Sequence, residues 1–569
     1  MGIKKVNLRI EADKINRWVV GSLILLTAGP YWVWRSLKQS GDSLAYASSI
    51  TTGNDLFHPH HILFAPVVRM FLLVAQWLGL STDALVAAQI HNLLWAVVAV
   101  VSIYLTIKII LDSRFWAIGT ALALLVSNGM FAYATQAEVY VPATGCAAVA
   151  ILILTMGHKN GWSSGKLVWL SIFFALAVLY HQTNLLFAVP LAMVLLFDSM
   201  RKGWRILFIV TGLSVTLVLG TYALAYASTG APLTVTDFLH FFLEYTYHPN
   251  RSWGTFEHFN PTGVALLLKS QLRSVIYLPP GRSMLLLMVV GLFGGALVGF
   301  IALTIKQVLR RTGYRMLRLA LLVWLVVNFI FFLWWLPGED EFFITTLVPL
   351  ILTISITLHY QLNRPLQVLL KKTFPLLVAT TLLLIMTVNF RYSILPRAAS
   401  RGDAYKDATR LNALVKDDCT ILTGYDEMQN LRYYYQQDNV IELAPVLLYA
   451  YHQGNIPDNL RPAADKPILV PVDSVIPAYG AVGTDGNADR AGWLMFFEYL
   501  FDVQENFTES GKSSRAFEVV RDSEGTQYVR LSVARIEITD LNELFTNLDQ
   551  QIETPAGENS KPFASWYKR

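Results

Sequence analysis

Eleven apolar runs divide the first 395 residues, at about 18–34, 88–110, 115–135, 140–157, 167–180, 184–197, 206–228, 283–305, 319–336, 342–360 and 374–395. Most approach the roughly 20 residues that a helix needs to cross a bilayer. Only 15% of the 569 residues are charged, against roughly 25% in a soluble domain, and 54% are hydrophobic. That excludes disorder and argues against an ordinary cytosolic protein. The charge balance changes at residue 396: the chain up to there holds 28 Lys/Arg and 14 Asp/Glu, a balance of +14, and the last 173 residues hold 17 and 26, a balance of −9. The expected architecture is an all-α polytopic membrane domain of about 11 transmembrane helices over residues 1–396, followed by a small soluble α/β domain over 397–569. The basic excess belongs to membrane topology and not to nucleic acid.

Loop charge orients the spans. Lys4, Lys5, Arg9, Lys14 and Arg17 precede the first run, which lacks a small-residue cleavage pattern and reads as a retained span. With the N-terminus cytoplasmic and residues 167–197 folded as a hairpin at His181-Gln182-Thr183-Asn184, the inner loops carry Arg201, Lys202, Arg205, Lys306, Arg310, Arg311, Arg315, Arg318, Arg364, Lys371 and Lys372. A single crossing there would put them all outside, against the positive-inside rule. Residues 35–87, 229–282 and the tail then lie outside, as expected for a bacterial inner-membrane protein. No Gly-rich phosphate loop occurs, so chemistry fed by cytoplasmic nucleotides is not expected. Cys146 and Cys419 are too few for a disulfide framework or a zinc site.

The carboxylates of the membrane half are scarce enough to weigh singly. Glu138 sits in Thr135-Gln-Ala-Glu-Val-Tyr-Val-Pro142 between two apolar runs with almost no loop. An ion there costs roughly 2.5–3.5 kcal/mol unless paired or wetted, which points to a cavity; the alternative is a turn carboxylate reaching headgroup water. Asp42 lies in Gly41-Asp-Ser-Leu-Ala-Tyr46 directly after the first run, where it could instead cap the helix that follows. Next comes Phe57-His-Pro-His-His-Ile-Leu63 and an amphipathic run, 64–80. His60 and His61, adjacent and about 100° apart on a helix, suit a shared metal poorly. With His58, they are better placed to hydrogen-bond a phosphate or sugar.

An aspartate after the first span, a His-Pro segment leading into a surface helix, Glu138-Val-Tyr140 at the second outer turn and a C-terminal domain outside together resemble the GT-C superfamily of glycosyltransferases. The nearest branch contains the protein O-mannosyltransferases and the bacterial lipid A aminoarabinose transferases. Tyr277-Leu-Pro-Pro-Gly-Arg-Ser283 and Trp334-Trp-Leu-Pro-Gly-Glu-Asp-Glu-Phe342 fit the same pattern. His58-Pro59-His60 departs from the His-Pro-Pro of relatives. The resemblance implies an integral membrane enzyme that moves one sugar from a polyprenyl-phosphate donor to an acceptor hydroxyl by inverting displacement. It also implies that Asp42 is the base; Glu138, singled out by its setting between apolar runs, is the second candidate catalytic carboxylate.

Such chemistry needs a proton acceptor, cations for the departing phosphate and access from the bilayer. Arg282 after Pro-Pro-Gly and Arg273 on the preceding amphipathic segment are the candidate phosphate ligands, a role that headgroup anchoring would fill equally well. Tyr140, His181, Glu339 and Glu341 are candidate substrate contacts. His181 could be purely structural, and Trp334 and Trp335 beside the acids fit an aromatic belt. The acceptor could be a glycan, a lipid or a protein. The sequence names no cofactor and leaves a divalent cation possible. A transporter or flippase, or a polysaccharide polymerase or ligase, are the competing classes. The tail reads as helices over 403–416 and 426–437 and strands over 419–424, 467–472 and 527–536, with no nucleotide-binding Gly motif.

Overall fold

The computed structural model describes residues 2–198, 200–230, 232, 234–243, 254–278, 284–309, 314–362, 368–415, 419–443, 468–471, 517–521 and 527–531. The chain groups into two units, one of residues 1–39 and 46–400, the other of residues 40–45 and 401–569.

The first unit is helical. Among the described residues, six stretches are long and apolar enough to cross a membrane: Ala84–Leu111, Tyr140–Asn160, Gly203–Ser228, Leu286–Leu309, Arg315–Trp335 and Thr373–Leu414, the last of which breaks after Ala399 and has its residues from 401 on in the second unit. The run expected at 115–135 is two helices, Arg114–Leu125 and Asn128–Ala134, bent by 57°, and counting them as one span gives seven. Four further apolar helices, Phe64–Trp77, Ser164–Tyr180, Gln182–Phe197 and Leu347–Leu362, are of 10–17 residues. The first run lies in the 32-residue helix Gly2–Val33.

The segment 164–198 reverses direction. Ser214 donates to the Ser171 carbonyl at 3.2 Å and Tyr222 packs against Leu179, so the helices Ser164–Tyr180 and Met200–Ser228 run the same way. Gly203 starts the later helix against the backbone of Leu195 and Leu196. The helix Ala188–Asp198 must therefore run back between them, a hairpin turning where His181 takes an extended backbone (φ −161°, ψ 119°).

Each interruption of a helix frees backbone groups that hydrocarbon cannot satisfy. At the 57° bend, Asn389 Nδ2 donates to the Val126 carbonyl (2.8 Å) and the Tyr31 hydroxyl to that of Leu125 (2.7 Å). Asn389 also donates to Val275 O (3.0 Å) and accepts from Tyr277 N (2.6 Å), which ties the end of the helix Pro261–Val275 to the bend. At the hairpin, Gln182 Nε2 reaches Pro59 O, Tyr222 Oη and Phe242 O, and the Tyr222 hydroxyl also donates to Pro59 O.

The second unit contains a five-stranded sheet of β1 (Thr420–Thr423), β2 (Val440–Glu442), β3 (Ile468–Pro471), β4 (Phe517–Arg521) and β5 (Gln527–Leu531) in the order β2-β1-β3-β5-β4. β1 is parallel to β2 and β3, and β5 antiparallel to β3 and β4. The helix Tyr425–Tyr435 makes the crossover from β1 to β2, and with the helix Asp403–Leu414 it buries Ala408, Leu411, Ile421, Met428, Leu431 and Val440.

Replacing Asn389 with Leu removes the partner of three backbone groups at once, one buried and two part-buried. At about 1–3 kcal/mol for an unsatisfied buried group, Asn389→Leu is expected to cost roughly 1–3 kcal/mol, read as a lowered Tm of the full-length protein in detergent.

Candidate active site

The turn Thr135–Val139 joins the helices Asn128–Ala134 and Tyr140–Asn160 and carries Glu138, which is 1% exposed. Two amides on the long helix Ala84–Leu111 hold the turn in place. Gln89 Nε2 donates to Thr135 O (2.8 Å) and Ser36 O (2.9 Å), and Asn92 Nδ2 to Gln136 O (2.8 Å) and Glu138 O (2.6 Å). Gln136 in turn donates to Lys38 O at 2.9 Å, and the amides of Leu37 and Lys38 donate to Arg397 O. The strand-like segment after the first helix, the Glu138 turn and Arg397 are thereby fastened together.

Around this turn the structure gathers residues distant in sequence. The Tyr140 hydroxyl donates to Glu341 Oε1 at 2.8 Å, and its ring lies 4.8 Å from that of His181 and 5.9 Å from that of Phe342. Arg273 Nη1 is 3.8 Å from Asp340 Oδ1, and Asn128 donates to the Arg273 carbonyl. Tyr133, ringed 6.0 Å from Tyr140, lies within electrostatic range of Asp340, Glu341, Glu138 and Arg397. Glu339 immediately precedes the short 3-10 turn Asp340–Phe343 that aims these acids. The result is a mixed site of carboxylates, phenols and two guanidinium groups.

The His-Pro segment packs on the hairpin turn. His58 and His61 stack at 4.2 Å with their planes 14° apart, His60 lies 5.9 Å from His58, and His61 Nε2 is 2.9 Å from the Tyr46 hydroxyl. Burial drives the ring of His58 from 6.5 to about 4, and it drives His60 and His61 lower still, with repulsion from neighbouring histidines adding to it. They are neutral at physiological pH, so they can hydrogen-bond a ligand but cannot neutralise one. Among the described residues no group of three His, Cys, Asp or Glu side chains is arranged to hold a metal ion.

Asp42 belongs to the second unit. Its helix, Gly41–Thr52, is capped by Ser40, whose Oγ accepts from Ser43 N at 3.0 Å, so Asp42 is not the cap. Instead its Oδ1 accepts from the Tyr425 hydroxyl at 2.8 Å, while Gly41 N donates to Asp426 Oδ1 at 2.8 Å. A Cβ on Gly41 would stand 2.5 Å from the Tyr425 ring, which explains the glycine before the aspartate. Burial raises the Asp42 carboxyl, the Tyr425 bond opposes that rise, and the Asp426 charge adds to it. Glu442, at the end of β2, is driven from 4.5 to about 7 by burial and then by Asp42 and Asp426, with Arg432 opposing.

Of the residues singled out from sequence, His181 and Glu341 both meet Tyr140, Arg273 pairs with Asp340, and Glu138 lies within electrostatic range of Tyr133. His58, His60 and His61 form one cluster, and Asp42 sits in the acidic group of the second unit. Arg282 lies outside the described residues, as do Tyr245, Tyr247 and Trp253. Sequence reasoning missed Tyr133, Arg397 and Tyr425.

No protein-family profile and no curated protein matches the chain. Solved structures do. ArnT from Cupriavidus metallidurans bound to undecaprenyl phosphate aligns over 91% of this chain and 99% of its own, at 12% identity and a TM-score of 0.51. Its apo form aligns over 93% and 100%, at 11% identity and 0.50. The chain has the GT-C fold. The Archaeoglobus fulgidus oligosaccharyltransferase in complex with Zn and sulfate is a looser likeness, at 12% identity, 90% and 72% coverage and a TM-score of 0.47. The GT-C likeness to ArnT runs through both units of the chain, not the membrane helices alone.

The two units should respond to pH in opposite senses. The histidines at 58, 60 and 61 have values depressed by burial when folded, so their contribution is complete above pH 6.5 and is lost as pH falls toward 4, by up to roughly 3 kcal/mol for His58. Glu442 has a raised value, so its contribution is greatest below pH 4.5 and is lost as pH climbs through 7, again by up to roughly 3 kcal/mol. Hydrogen exchange of the full chain against pH, followed separately at residues 58–64 and at β1, should show protection falling on the acid side in the first and on the neutral side in the second. Glu442→Gln should flatten the second dependence.

Proposed function

We propose that the chain is a membrane glycosyltransferase that takes a single sugar from a polyprenyl-phosphate carrier and passes it to an acceptor hydroxyl at the non-cytoplasmic face. The observation that carries this reading is the GT-C fold, shared along nearly the whole of both chains with an ArnT structure that holds undecaprenyl phosphate. It is supported by the scarce carboxylates of the membrane half: Glu138 is buried, and the half-buried Asp340 and Glu341 meet Arg273 and Tyr140 from distant parts of the sequence.

The reaction breaks the anomeric carbon to phosphate-oxygen bond as the acceptor oxygen attacks the same carbon from the opposite face. The bonding pair leaves with the polyprenyl phosphate, and the acceptor proton goes to a base. In this reading Asp42 is that base. Its raised affinity for protons, from burial, suits a carboxylate that must take one. Glu138 is the second catalytic carboxylate, with Tyr140 and Glu341 contacting the sugar. Arg273 and Arg397 supply positive charge for the leaving phosphate, Arg273 already partly balanced by Asp340. The neutral histidines at 58, 60 and 61 offer hydrogen bonds to the donor without adding charge.

In proteoliposomes supplied with a radiolabelled polyprenyl-phosphate sugar and an acceptor fraction, the wild-type protein is expected to release polyprenyl phosphate. Asp42→Asn and Glu138→Gln should each lower that rate by about 10²–10⁴-fold with expression unchanged. Movement of the intact lipid-linked sugar across the bilayer without release would replace this reading with a flippase. Full turnover in the Asp42 variant would remove its assignment as base.

A further inference from the structure

The candidate base is held by a helix that lies more than 380 residues away in sequence. The helix Tyr425–Tyr435 begins directly after β1, and its first two residues meet the start of the helix Gly41–Thr52 through two hydrogen bonds of 2.8 Å. One is donated by the Tyr425 hydroxyl to Asp42 Oδ1, the other by Gly41 N to Asp426 Oδ1. The Tyr425 ring lies flush on Gly41, where no Cβ fits, so ring, hydroxyl and backbone are mutually fixed. We propose that Tyr425 is a positioning residue, its hydroxyl fixing the Asp42 carboxylate while Asp426 fixes the backbone beneath it, so that the C-terminal unit sets the orientation of the base.

The proposal rests on Asp42 being the base of the reaction described above. A carboxylate on a short side chain has two torsions to lose, and a phenol donor to one of its oxygens removes both without neutralising it. Among the described residues, the charged and titratable groups facing Asp42 are Tyr425 and Asp426 on the crossover helix and Glu442 at the end of β2, with Arg432 acting on Glu442. Tyr425 and Asp426 therefore act on Asp42 with opposite signs. The phenol favours the ionised carboxylate and the neighbouring carboxylate disfavours it. Damage to the helix alone would push both variants the same way, so the signs separate positioning from a structural role.

The test uses the full-length protein in proteoliposomes with Tyr425→Phe, which keeps the ring over Gly41, and Asp426→Asn, which keeps an oxygen for the Gly41 amide. Two readouts are taken. One is the pH dependence of polyprenyl phosphate release; the other is the infrared carboxyl titration of Asp42, isolated as the difference from Asp42→Asn. Tyr425→Phe is expected to move both the acid limb and the infrared midpoint upward by roughly one pH unit, a tenfold slower rate on that limb, with KM for the donor unchanged. Asp426→Asn is expected to move both downward. An unshifted midpoint in Tyr425→Phe, or shifts of the same sign in both variants, would overturn the proposal. A wild-type protein with no turnover would overturn the transferase reading instead, and the infrared midpoints would still decide whether Tyr425 holds Asp42.

Discussion

The structure depends on how it satisfies peptide groups where helices break. A bilayer tolerates irregular backbone only where protein supplies the missing hydrogen bonds. Here four amide side chains do so: Gln89 and Asn92 at the Glu138 turn, Gln182 at the hairpin, and Asn389 at the 57° bend. Each joins segments far apart in sequence. The breaks are also where the candidate chemistry lies, since Glu138, Tyr140, His181 and Arg273 all flank one. A continuous helix turns its side chains toward lipid or neighbours; an interrupted one can present several at its end.

Much of this was legible because charge is rare in the membrane half. Glu138 and Asp42 stand out among 14 acids in 396 residues. The hairpin at His181 followed from loop charge before any geometry, and the parallel course of the helices on either side agrees with it. The bend at 126–127 was not legible, because a hydropathy window averages through a two-residue break; Ser127-Asn128-Gly129 was the available signal. Tyr133 was hidden in the same apolar run. Arg397 fell one residue beyond the change in composition and was counted with the tail. That Arg273 pairs with Asp340, 67 positions later in the chain, is not something periodicity can fold.

In the second unit, the strands at 420–423, 468–471 and 527–531 and the helix at 403–414 lie within segments whose apolar pattern and length point to them, and the helix expected at 426–437 runs from 425 to 435. β2 has three residues, too few for a periodic signal, and the alternation in Phe517-Glu-Val-Val-Arg521 is broken by its paired valines. Tyr425 carried no signal at all. Its importance comes from the missing Cβ of Gly41 and the carboxylate beside it, and neither is visible until the two are brought together.

The Asn389 clamp has a consequence for biosynthesis. The carbonyl it satisfies at Val126 leaves the ribosome 263 residues earlier. At roughly 5–20 residues per second, that group waits about 13–50 s for its partner. During that interval the seven-residue helix Asn128–Ala134 is too short to hold a transmembrane position by itself. Until the helix Val368–Asn389 is made, the backbone at the bend lacks the side chain that satisfies it.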